Sequence, residues 1–367
     1  MQGSRRWFLV GTIAVLLCAM AAVVRVAVPV GNAQPGGPSS GQGGPLAVVL
    51  VPGRARSELV VVDLDQARVV RRVALRSLVT DIDVDRASGK VVGAQTGGIG
   101  ADADDAISIC DARTGVVHYV TLPRTDPSQV ECVNGTALVL HAWLDSSGYV
   151  VSAVDIASES VTATGHAPEG TGLWAAAGGS VWTSVLSTGS PSHSLVRLDP
   201  VTLLPATVAC AGIDPAAVTA TGDDVAVLGS SRGDAKATGS AALIEPERGR
   251  VVATHAVLAM PHGPQIAAAA GDVVVVSDWN GDPPESDRLV ALEGRTLEPI
   301  ARFRVGTAPC ALAADGDRLL VVDRVDGVLR SVEPRTGRVF WSVGLGVRDL
   351  LCSKVVVIAR GPDAGHP

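Results

Sequence analysis

The chain has 367 residues, of which 47% are apolar and 18% charged, and its formal net charge is −7. That length allows two or three average domains or one large repeat domain with a substantial core. The acidic balance argues against a nucleic-acid-binding protein, which would need clustered Lys and Arg. An aromatic content of 3% argues against carbohydrate-stacking surfaces.

The chain begins with a predicted export segment, residues 1–28, which we expect to be a helical signal peptide or membrane anchor. The basic stretch "MQGSRR" precedes an apolar run at 7–24 that just reaches the length of a membrane span. Either a signal is cleaved after Ala33, or an uncleaved anchor keeps its basic end in the cytoplasm. "SRRWFLV" also resembles a twin-arginine export signal, with Val in the place of the usual Lys. Both routes predict an extracytoplasmic protein, secreted or anchored to the cell membrane.

Residues 29–45, "PVGNAQPGGPSSGQGGP", contain no charge and little apolar content. Such a segment cannot offset its own ordering entropy, so we predict a disordered linker. The folded part is expected at 46–361, followed by a short tail at 362–367.

An acidic residue returns at nearly even spacing along the folded part, each time between two apolar runs. The intervals are 48, 44, 44, 46, 48 and 40 residues, which is typical of a repeat whose units stack on their neighbours. The seven acids are Asp63, Asp111, Asp155, Asp199, Glu245, Glu293 and Glu333.

Each repeat predicts four antiparallel strands, named A to D in chain order. A hairpin around Gly joins strands A and B, as in "ADGDRLLVV" at 314–322, because tight hairpins need a positive φ. The acid and the Thr-Gly corner, as in "EPRTGRVFW" at 333–341, form the C–D hairpin. Seven such units predict an all-β fold, a seven-bladed β-propeller of four-stranded antiparallel blades.

The two ends of the repeat region predict how the ring closes. The first unit starts at "LAVVLVP" (46–52) without a strand A. The last unit is followed by "VRDLLCSKVVVIAR" (347–360), which reads as an A–B pair without C and D. We therefore expect a C-terminal strand to complete the first blade, with one apolar strand left over.

Residues 305–343 resemble the YVTN-type repeat of bacterial extracytoplasmic propellers, within the quinoprotein-like superfamily. The resemblance lies in the Gly306/Pro309 lead, the Asp-Gly turn, the Val-Val strand and the corner at 333–337. It implies a propeller fold over 46–360, and its motifs are structural rather than catalytic.

Length variation is concentrated in the B–C loops, which in a propeller share one face with the D–A loops. Those loops contain 12 Asp and Glu against 5 Lys and Arg. The acidic face is expected to bind a cationic ligand or a basic protein, with Ca²⁺ as an alternative. The competing interpretation is that these are ordinary solvated loops of an acidic protein without a binding function. The candidate ligand-binding residues are Asp102, Asp104, Asp105, Asp278, Asp282 and His262.

Three further acids, in "DIDVDRASG" (81–89), approach the pattern of a calcium loop. Arg86 stands where that loop needs Gly, and Val92 stands where it needs a bidentate Glu. A strand followed by a turn fits these residues better. We predict no catalytic residue, no metal site and no cofactor, because no paired His spacing or nucleophile motif occurs.

Five cysteines follow the export segment, so at least one cannot pair with another: Cys110, Cys132, Cys210, Cys310 and Cys352. Buried small hydrophobic residues with one disulfide at most are the expected outcome.

Two main functional hypotheses follow. The first is a non-catalytic, monomeric binding scaffold that docks a partner on its acidic loops and meets the membrane only through its N-terminal segment. The second is a propeller enzyme, a lyase, lactonase or quinoprotein-like oxidoreductase, with its site in the central channel. A purely structural envelope protein is a third alternative.

Overall fold

A computed structural model describes residues 43–53, 55–96, 104–145, 148–166, 174–177, 179–185, 194–210, 213–221, 224–231, 239–245, 247–258, 266–277, 288–348, 350 and 354–360. The predicted export helix at 1–28, nearly all of the linker at 29–45 and the tail at 362–367 lie outside these residues. Within the described part of the chain, no helix is long and apolar enough to cross a membrane.

The described residues form seven four-stranded antiparallel sheets, so the predicted seven-bladed all-β propeller is confirmed. Strands of each blade are given from the inside outward. Blade 1 consists of β28 (Val355–Ile358), β1 (Leu46–Val51), β2 (Glu58–Asp63) and β3 (Arg68–Ala74). Blade 2 consists of β4 (Val79–Val84), β5 (Lys90–Gln95), β6 (Ala106–Asp111) and β7 (Val116–Thr121). Blade 3 consists of β8 (Pro127–Val133), β9 (Thr136–Asp145), β10 (Gly148–Asp155) and β11 (Ser160–His166).

The other four blades keep the same order. Blade 4 consists of β12 (Trp174–Ala177), β13 (Ser180–Val185), β14 (Ser194–Leu198) and β15 (Pro205–Cys210). Blade 5 consists of β16 (Ile213–Thr221), β17 (Asp224–Ser231), β18 (Gly239–Glu245) and β19 (Arg250–Leu258). Blade 6 consists of β20 (Ile266–Ala270), β21 (Val273–Ser277), β22 (Arg288–Glu293) and β23 (Pro299–Arg304). Blade 7 consists of β24 (Pro309–Asp315), β25 (Arg318–Asp323), β26 (Val328–Val332) and β27 (Val339–Gly344).

The core lies between neighbouring blades because strand side chains alternate between the two faces of each sheet. In β1, Val48 and Leu50 pack toward blade 2, where they meet Ile82. Ala47 and Val49 of the same strand pack in a cluster shared with blade 7. Because both faces of the strand are buried, its sequence is continuously apolar rather than alternating.

The ring closes as predicted, through the C-terminal strand. Strand β28 pairs antiparallel with β1 and forms the inner strand of blade 1, with Leu46 opposite Ile358 and Val49 opposite Val355. The chain's last strand is thereby held to its first one, and the blade has the same four strands as the others.

The predicted A–B strand pair at 347–360 is wrong, because the described part of that range contains a single strand, β28. The chain before it runs along the B–C turn of blade 7 instead. Leu345 and Leu350 donate amide hydrogen bonds to the carbonyls of Gly327 and Arg324, at 2.8 and 2.9 Å. Leu350 is buried, so its apolar character reflects packing against blade 7, and the described residues between 345 and 354 contain no strand.

The repeating acid organises the C–D turn, as the sequence indicates. The Asp199 carboxylate accepts hydrogen bonds from the amides of Val201 and Thr202, at 3.0 and 2.7 Å, and from the Thr202 hydroxyl at 3.0 Å. Glu293 accepts from the amides of Arg295 and Thr296 at 2.8 Å each. These bonds satisfy amides that the turn leaves without strand partners.

The fourth residue after each acid has a positive φ in every blade, although only three of these residues are Gly. They are Ala67, Gly115, Glu159, Leu203, Gly249, Leu297 and Gly337. Leu297 is fully buried and Leu203 nearly so, so burial of a large side chain offsets left-handed strain there. The prediction that Gly supplies the left-handed residue of this corner holds in three blades, and other residues take that position in the remaining four.

These turns predict a loss of stability in acid. Hydrogen bonds from the turn hold the pKa of Asp199 below its usual value, and the same holds for Glu293. A lowered folded-state pKa stabilises the protein above the unfolded pKa of about 4, and this contribution is lost as pH falls. We expect Asp199→Asn to lose less unfolding free energy than the wild type between pH 5 and pH 3 in urea titrations. Equal losses in the two proteins would contradict this assignment.

Candidate functional site in the central channel

Seven inner strands surround the central channel: β28, β4, β8, β12, β16, β20 and β24. Strands β4, β8, β12, β16, β20 and β24 each run from a D–A loop to an A–B turn, and β28, antiparallel to β1, runs in the same direction. We call the face with the D–A and B–C loops the loop face, and the opposite face, with the A–B and C–D turns, the turn face. Residues near the start of an inner strand therefore lie toward the loop face.

Four ionisable side chains from three consecutive blades meet at this channel, and we call Asp81, Asp83, Glu131 and Lys354 the channel cluster. Asp81 and Asp83 alternate along β4, Glu131 is on β8, and Lys354 directly precedes β28. The Lys354 Nζ lies 2.5 Å from the Asp81 Oδ1. The Lys354 side chain is 39% exposed and that of Asp81 is 14% exposed, so both lie at a surface that solvent reaches.

The carboxylates of the cluster also bind the next blade. Asp81 and Asp83 accept hydrogen bonds from the amides of Val130 and Cys132 on β8, at 3.0 and 2.7 Å. Glu131 accepts one from the amide of Ala176 on β12, at 2.7 Å. Each inner strand is an edge strand of its blade, so the amides on its channel side lack a partner within the blade. The cluster therefore satisfies backbone donors across two blade boundaries.

Three carboxyl groups share one ammonium group in this cluster, and the pKa values of Glu131, Asp83 and Lys354 are shifted. Burial, together with repulsion from Asp83, raises the pKa of the Glu131 carboxyl to about 8. Burial likewise raises the pKa of Asp83, against the attraction of Lys354. Burial alone would lower the pKa of Lys354, but Asp81, Glu131 and Asp83 outweigh it and raise that pKa. Burial and like charges thus favour the protonated form of Glu131.

The part of the channel wall formed by blades 6 and 7 is small and apolar. Strand β20 is "IAAAA", and β24 begins "PCALAA". Ala268 and Ala311 are buried there, and the positions that match Asp81 and Asp83 in register on β24 are Ala311 and Ala313. The channel therefore has a charged wall in blades 1 to 3 and an alanine wall in blades 6 and 7. An elongated or charged group entering it would meet both.

Of the six predicted ligand-binding residues, Asp104 and Asp105 are described. Asp102, Asp278, Asp282 and His262 lie outside the described residues. The Asp104 carboxylate accepts hydrogen bonds from Arg76 Nη2 at 2.7 Å and Ser77 Oγ at 2.6 Å. Burial acts to raise its pKa, but these hydrogen bonds outweigh that effect and lower it.

The Asp104 contacts join the B–C loop of blade 2 to the D–A loop that precedes the blade. Arg76 also stacks over the Tyr119 ring, with its guanidinium carbon 4.5 Å from the ring centroid. Asp104 is therefore committed to an ion pair within the protein, and a ligand would have to displace Arg76 to reach it. The backbone carbonyl of Asp105 accepts a hydrogen bond from the Leu122 amide at 2.6 Å.

Buried polar residues at a matching position on strand B fix the D–A loops of blades 3 and 7. His141 contacts the carbonyl oxygen of Thr125 through Nδ1 and the Ser152 hydroxyl through Nε2, each at 3.0 Å. In blade 7, Asp323 takes the equivalent place and accepts a hydrogen bond from the Thr307 amide at 2.5 Å. Both side chains are buried, so they act as anchors for the loop face.

Sequence reasoning missed the channel cluster in part. The prediction that Asp81 and Asp83 lie on a strand is confirmed. Glu131 and Lys354 were not predicted as site residues. The signal that could have found them is the register of the repeat, since Asp83 and Glu131 occupy matching positions on β4 and β8. Asp85 instead accepts hydrogen bonds from Ser88 in its own turn.

Metal and thiol chemistry have little support in the described part of the chain. No group of three or more His, Cys, Asp or Glu side chains there is arranged to hold a metal ion. Cys110 and Cys132 are buried thiols. Burial raises the pKa of Cys110 to about 11 and that of Cys132 well above its usual value, so neither forms a reactive thiolate.

A second concave feature lies on the outer rim between blades 2 and 3. This groove of 510 Å³ is lined by Thr121, Leu122 and Pro123 and by residues 161–164. Its lining contains no ionisable side chain, so it offers shape and hydroxyl groups but no charged chemistry. The channel cluster is the stronger candidate for a functional site.

No protein-family model matches the sequence, and no curated protein does either. Solved structures do match. A functionally unknown protein of Desulfotomaculum acetoxidans is 11% identical, with a TM-score of 0.63, and the match covers 86% of this chain and 99% of that one. A candidate 6-phosphogluconolactonase of Bacteroides uniformis is 12% identical, with a TM-score of 0.59 and coverage of 85% and 99%.

Hydrazine synthase of Kuenenia stuttgartiensis is 14% identical, with a TM-score of 0.55 and coverage of 80% and 96%. Identities this low establish a shared fold and leave activity open. In its architecture the chain is therefore similar to known β-propeller proteins.

Proposed function

We propose that this chain is an exported, non-catalytic β-propeller that binds a positively charged protein segment on its loop face, at the mouth of the central channel. Its repeat is proposed to be of the YVTN type, on the Gly306/Pro309 lead and the corner at 333–337. We expect the propeller to be monomeric and to meet a membrane only through residues 1–28.

The observation that carries this proposal is the charged channel wall. The three carboxyl groups of Asp81, Asp83 and Glu131 outnumber the one ammonium group of Lys354. Asp81 and Asp83 lie on β4, an inner strand that starts at the loop face. A Lys or Arg side chain entering from that face would supply the counter-charge that the cluster lacks. The acidic B–C loops around the mouth would attract the same partner at longer range.

The position of the chain ends supports the choice of the loop face. Arg113 on the turn face donates a hydrogen bond to the carbonyl of Gly44, at 3.0 Å. Arg360, just after β28, pairs with Asp65 of a C–D turn at 2.9 Å. The first and last described residues of the propeller therefore lie on the turn face, away from the loop face.

A binding measurement tests the proposal. We expect the full exported chain to bind a lysine octapeptide at low ionic strength in calorimetry, and a glutamate octapeptide not at all. Asp81→Asn combined with Asp83→Asn should weaken the affinity at least tenfold. Asp65→Asn combined with Asp317→Asn, on the turn face, is the matched control and should leave the affinity unchanged.

Two outcomes would overturn the proposal. Absence of lysine-peptide binding at low salt would remove the cationic partner. If the channel variant and the turn-face variant weakened the peptide affinity equally, the binding would depend on net charge and not on the channel cluster. Circular dichroism of each variant must first show the wild-type spectrum, so that lost binding is not lost folding.

A central-channel enzyme is the second candidate, and one observation favours it. Glu131, with a pKa raised to about 8, lies in a cluster with Lys354, and such shifted carboxyl groups serve as general acids in many active sites. The fold neighbour described as a lactonase makes sugar lactone hydrolysis the first reaction to assay. Turnover that is lost in Glu131→Gln would favour the enzyme over the scaffold.

A further inference from the structure

The channel cluster shows which chemical group the channel-side amides of the inner strands bind. Asp83 accepts a hydrogen bond from the Cys132 amide of the next blade, and Glu131 accepts one from the Ala176 amide, at 2.7 Å each. Glu131 lies two residues before the end of β8, and Ala176 lies one residue before the end of β12. A carboxylate at the first of these positions therefore satisfies the edge amide at the second.

The same two positions recur in blades 4 to 7 without a carboxylate. Strands β16, β20 and β24 each pair with strand B across a two-residue turn, as β12 does, so their residues match in register. The residues that match Ala176 are Ala220, Ala269 and Ala314, and those that match Glu131 in the preceding blade are Ala175, Thr219 and Ala268. Because an alanine side chain has no polar atom, this position offers no acceptor to the amides of Ala220 and Ala314.

These amides lie on the channel side of their strands, where a ligand can reach them. Amides along an antiparallel strand point alternately toward the partner strand and away from it, so matching residues point the same way as Ala176. Ala220, Ala269 and Ala314 are each partly exposed. Their strands carry small side chains, and a charged acceptor makes stronger hydrogen bonds to such amides than water does. The amides of blades 6 and 7 therefore form a site that suits a carboxylate from outside the protein.

We propose that the cationic segment bound by the loop face is the carboxyl-terminal end of a chain, with Lys or Arg among its last residues, and that its terminal carboxylate binds the amides of Ala269 and Ala314. The proposal rests on the cationic partner already proposed for this face and adds which end of that partner enters the channel. The basic side chain lies against the charged wall at Asp83 and Glu131, and the carboxylate lies against the alanine wall.

The charges of the channel require a ligand that carries both signs. An anion without a cation would be repelled by the three carboxyl groups of the channel cluster, against which Lys354 is one compensating charge. Asp315, which follows Ala314, adds to that repulsion, although Arg318 interacts with it. A basic residue beside the carboxylate offsets the repulsion, because it pairs with the carboxyl groups that cause it.

The depth of the amides explains why a chain end would enter first. Ala311 matches Asp81 in register, and Ala314 lies three residues farther along β24 toward the turn face. At about 3.3 Å for each residue, the amide of Ala314 lies roughly 10 Å deeper than Asp81. A segment that comes from the loop face therefore reaches these amides with its leading end.

Calorimetry with two forms of one peptide tests the proposal. A lysine octapeptide with a free carboxyl terminus should bind the full exported chain at least fivefold more tightly than the same peptide with an amidated terminus, at low ionic strength. Net charge alone predicts the reverse order, because amidation removes a negative charge from the peptide and the protein itself has a formal charge of −7. The sign of the difference therefore separates the carboxylate contact from general attraction.

Ala268→Gln is the variant that fills the site from within. Its side-chain oxygen would accept from the Ala314 amide, as Glu131 does from Ala176, without a change in net charge. The preference for the free terminus should then fall below twofold. Thr162→Gln, on the exposed side of the outer strand β11, is the matched control and should keep the full preference.

Each result decides between the two proposals for this face. Equal affinity for both peptides, or tighter binding of the amidated one, would overturn the carboxylate contact and leave the cationic partner in place. Binding of neither peptide would overturn both. Should Ala268→Gln fail to fold, the amide proton shifts of Ala269 and Ala314 in the wild type give the same test. They should move downfield with the free-terminus peptide, and identical shifts with the amidated peptide would refute the contact.

Discussion

We expect Gly327→Ala to destabilise the propeller by about 3 kcal/mol, from left-handed strain of about 1 kcal/mol and overpacking of about 2 kcal/mol. Gly327 has a φ of 61°. A methyl group at this residue would lie 1.5 Å from the Val347 carbonyl oxygen, which is backbone and cannot turn away. Since Leu345 donates to the Gly327 carbonyl, the change also disturbs the segment that leads to the closing strand.

Gly316→Ala is the matched control for this prediction. Gly316 has a similar φ of 58°, but a methyl group there would meet nothing within 4 Å. It should therefore cost only the strain, about 1 kcal/mol. Urea unfolding of both variants measures the difference. Equal destabilisation would show that the contact with Val347 contributes nothing.

The second large effect is expected from removal of the closing strand. A chain that ends at Lys354 loses Val355, Val356 and Ile358, which are all buried. At about 2 kcal/mol for each buried side chain, the loss is about 6 kcal/mol, comparable with the whole stability of many domains. It also exposes the apolar edge of β1, "LAVVLV", to other chains. We expect aggregation, or a partly unfolded protein, in place of the soluble propeller.

A chain that ends at Arg360 controls for simple shortening. It keeps β28 and its pairing with β1, so its melting temperature should match that of the full chain. Size-exclusion chromatography and circular dichroism distinguish the two truncations. A soluble and cooperatively folded chain ending at Lys354 would show that the ring does not depend on its last strand.

Charge counts predict a binding face less directly than the repeat predicts the fold, because a counted carboxylate can already be paired within the protein. Counting charges in the B–C loops treats every carboxylate as available, but Asp104 is paired with Arg76 from a D–A loop. Asp323 is likewise buried against the Thr307 amide and Arg330. Arg76 and Thr307 come from the D–A loops that precede their blades, and only the folded blades bring them to these carboxylates.

The sequence by itself determined the repeat, and through it most of the fold. Seven acids at a period near 45 residues, each before a left-handed corner, specify local hairpins. Hairpins depend on neighbouring residues, so their rules can be read along the chain. Even the completion of blade 1 by a C-terminal strand follows from the missing strand A before Leu46.

Tertiary structure alone decided the channel. Asp81, Glu131 and Lys354 are separated by 50 and 223 residues in sequence, and no local rule connects them. They meet because closure of the ring places inner strands of successive blades side by side, with their edge amides in need of acceptors. Leu345 and Leu350, before β28, likewise pack against blade 7, where the Gly327 and Arg324 carbonyls accept hydrogen bonds from their amides.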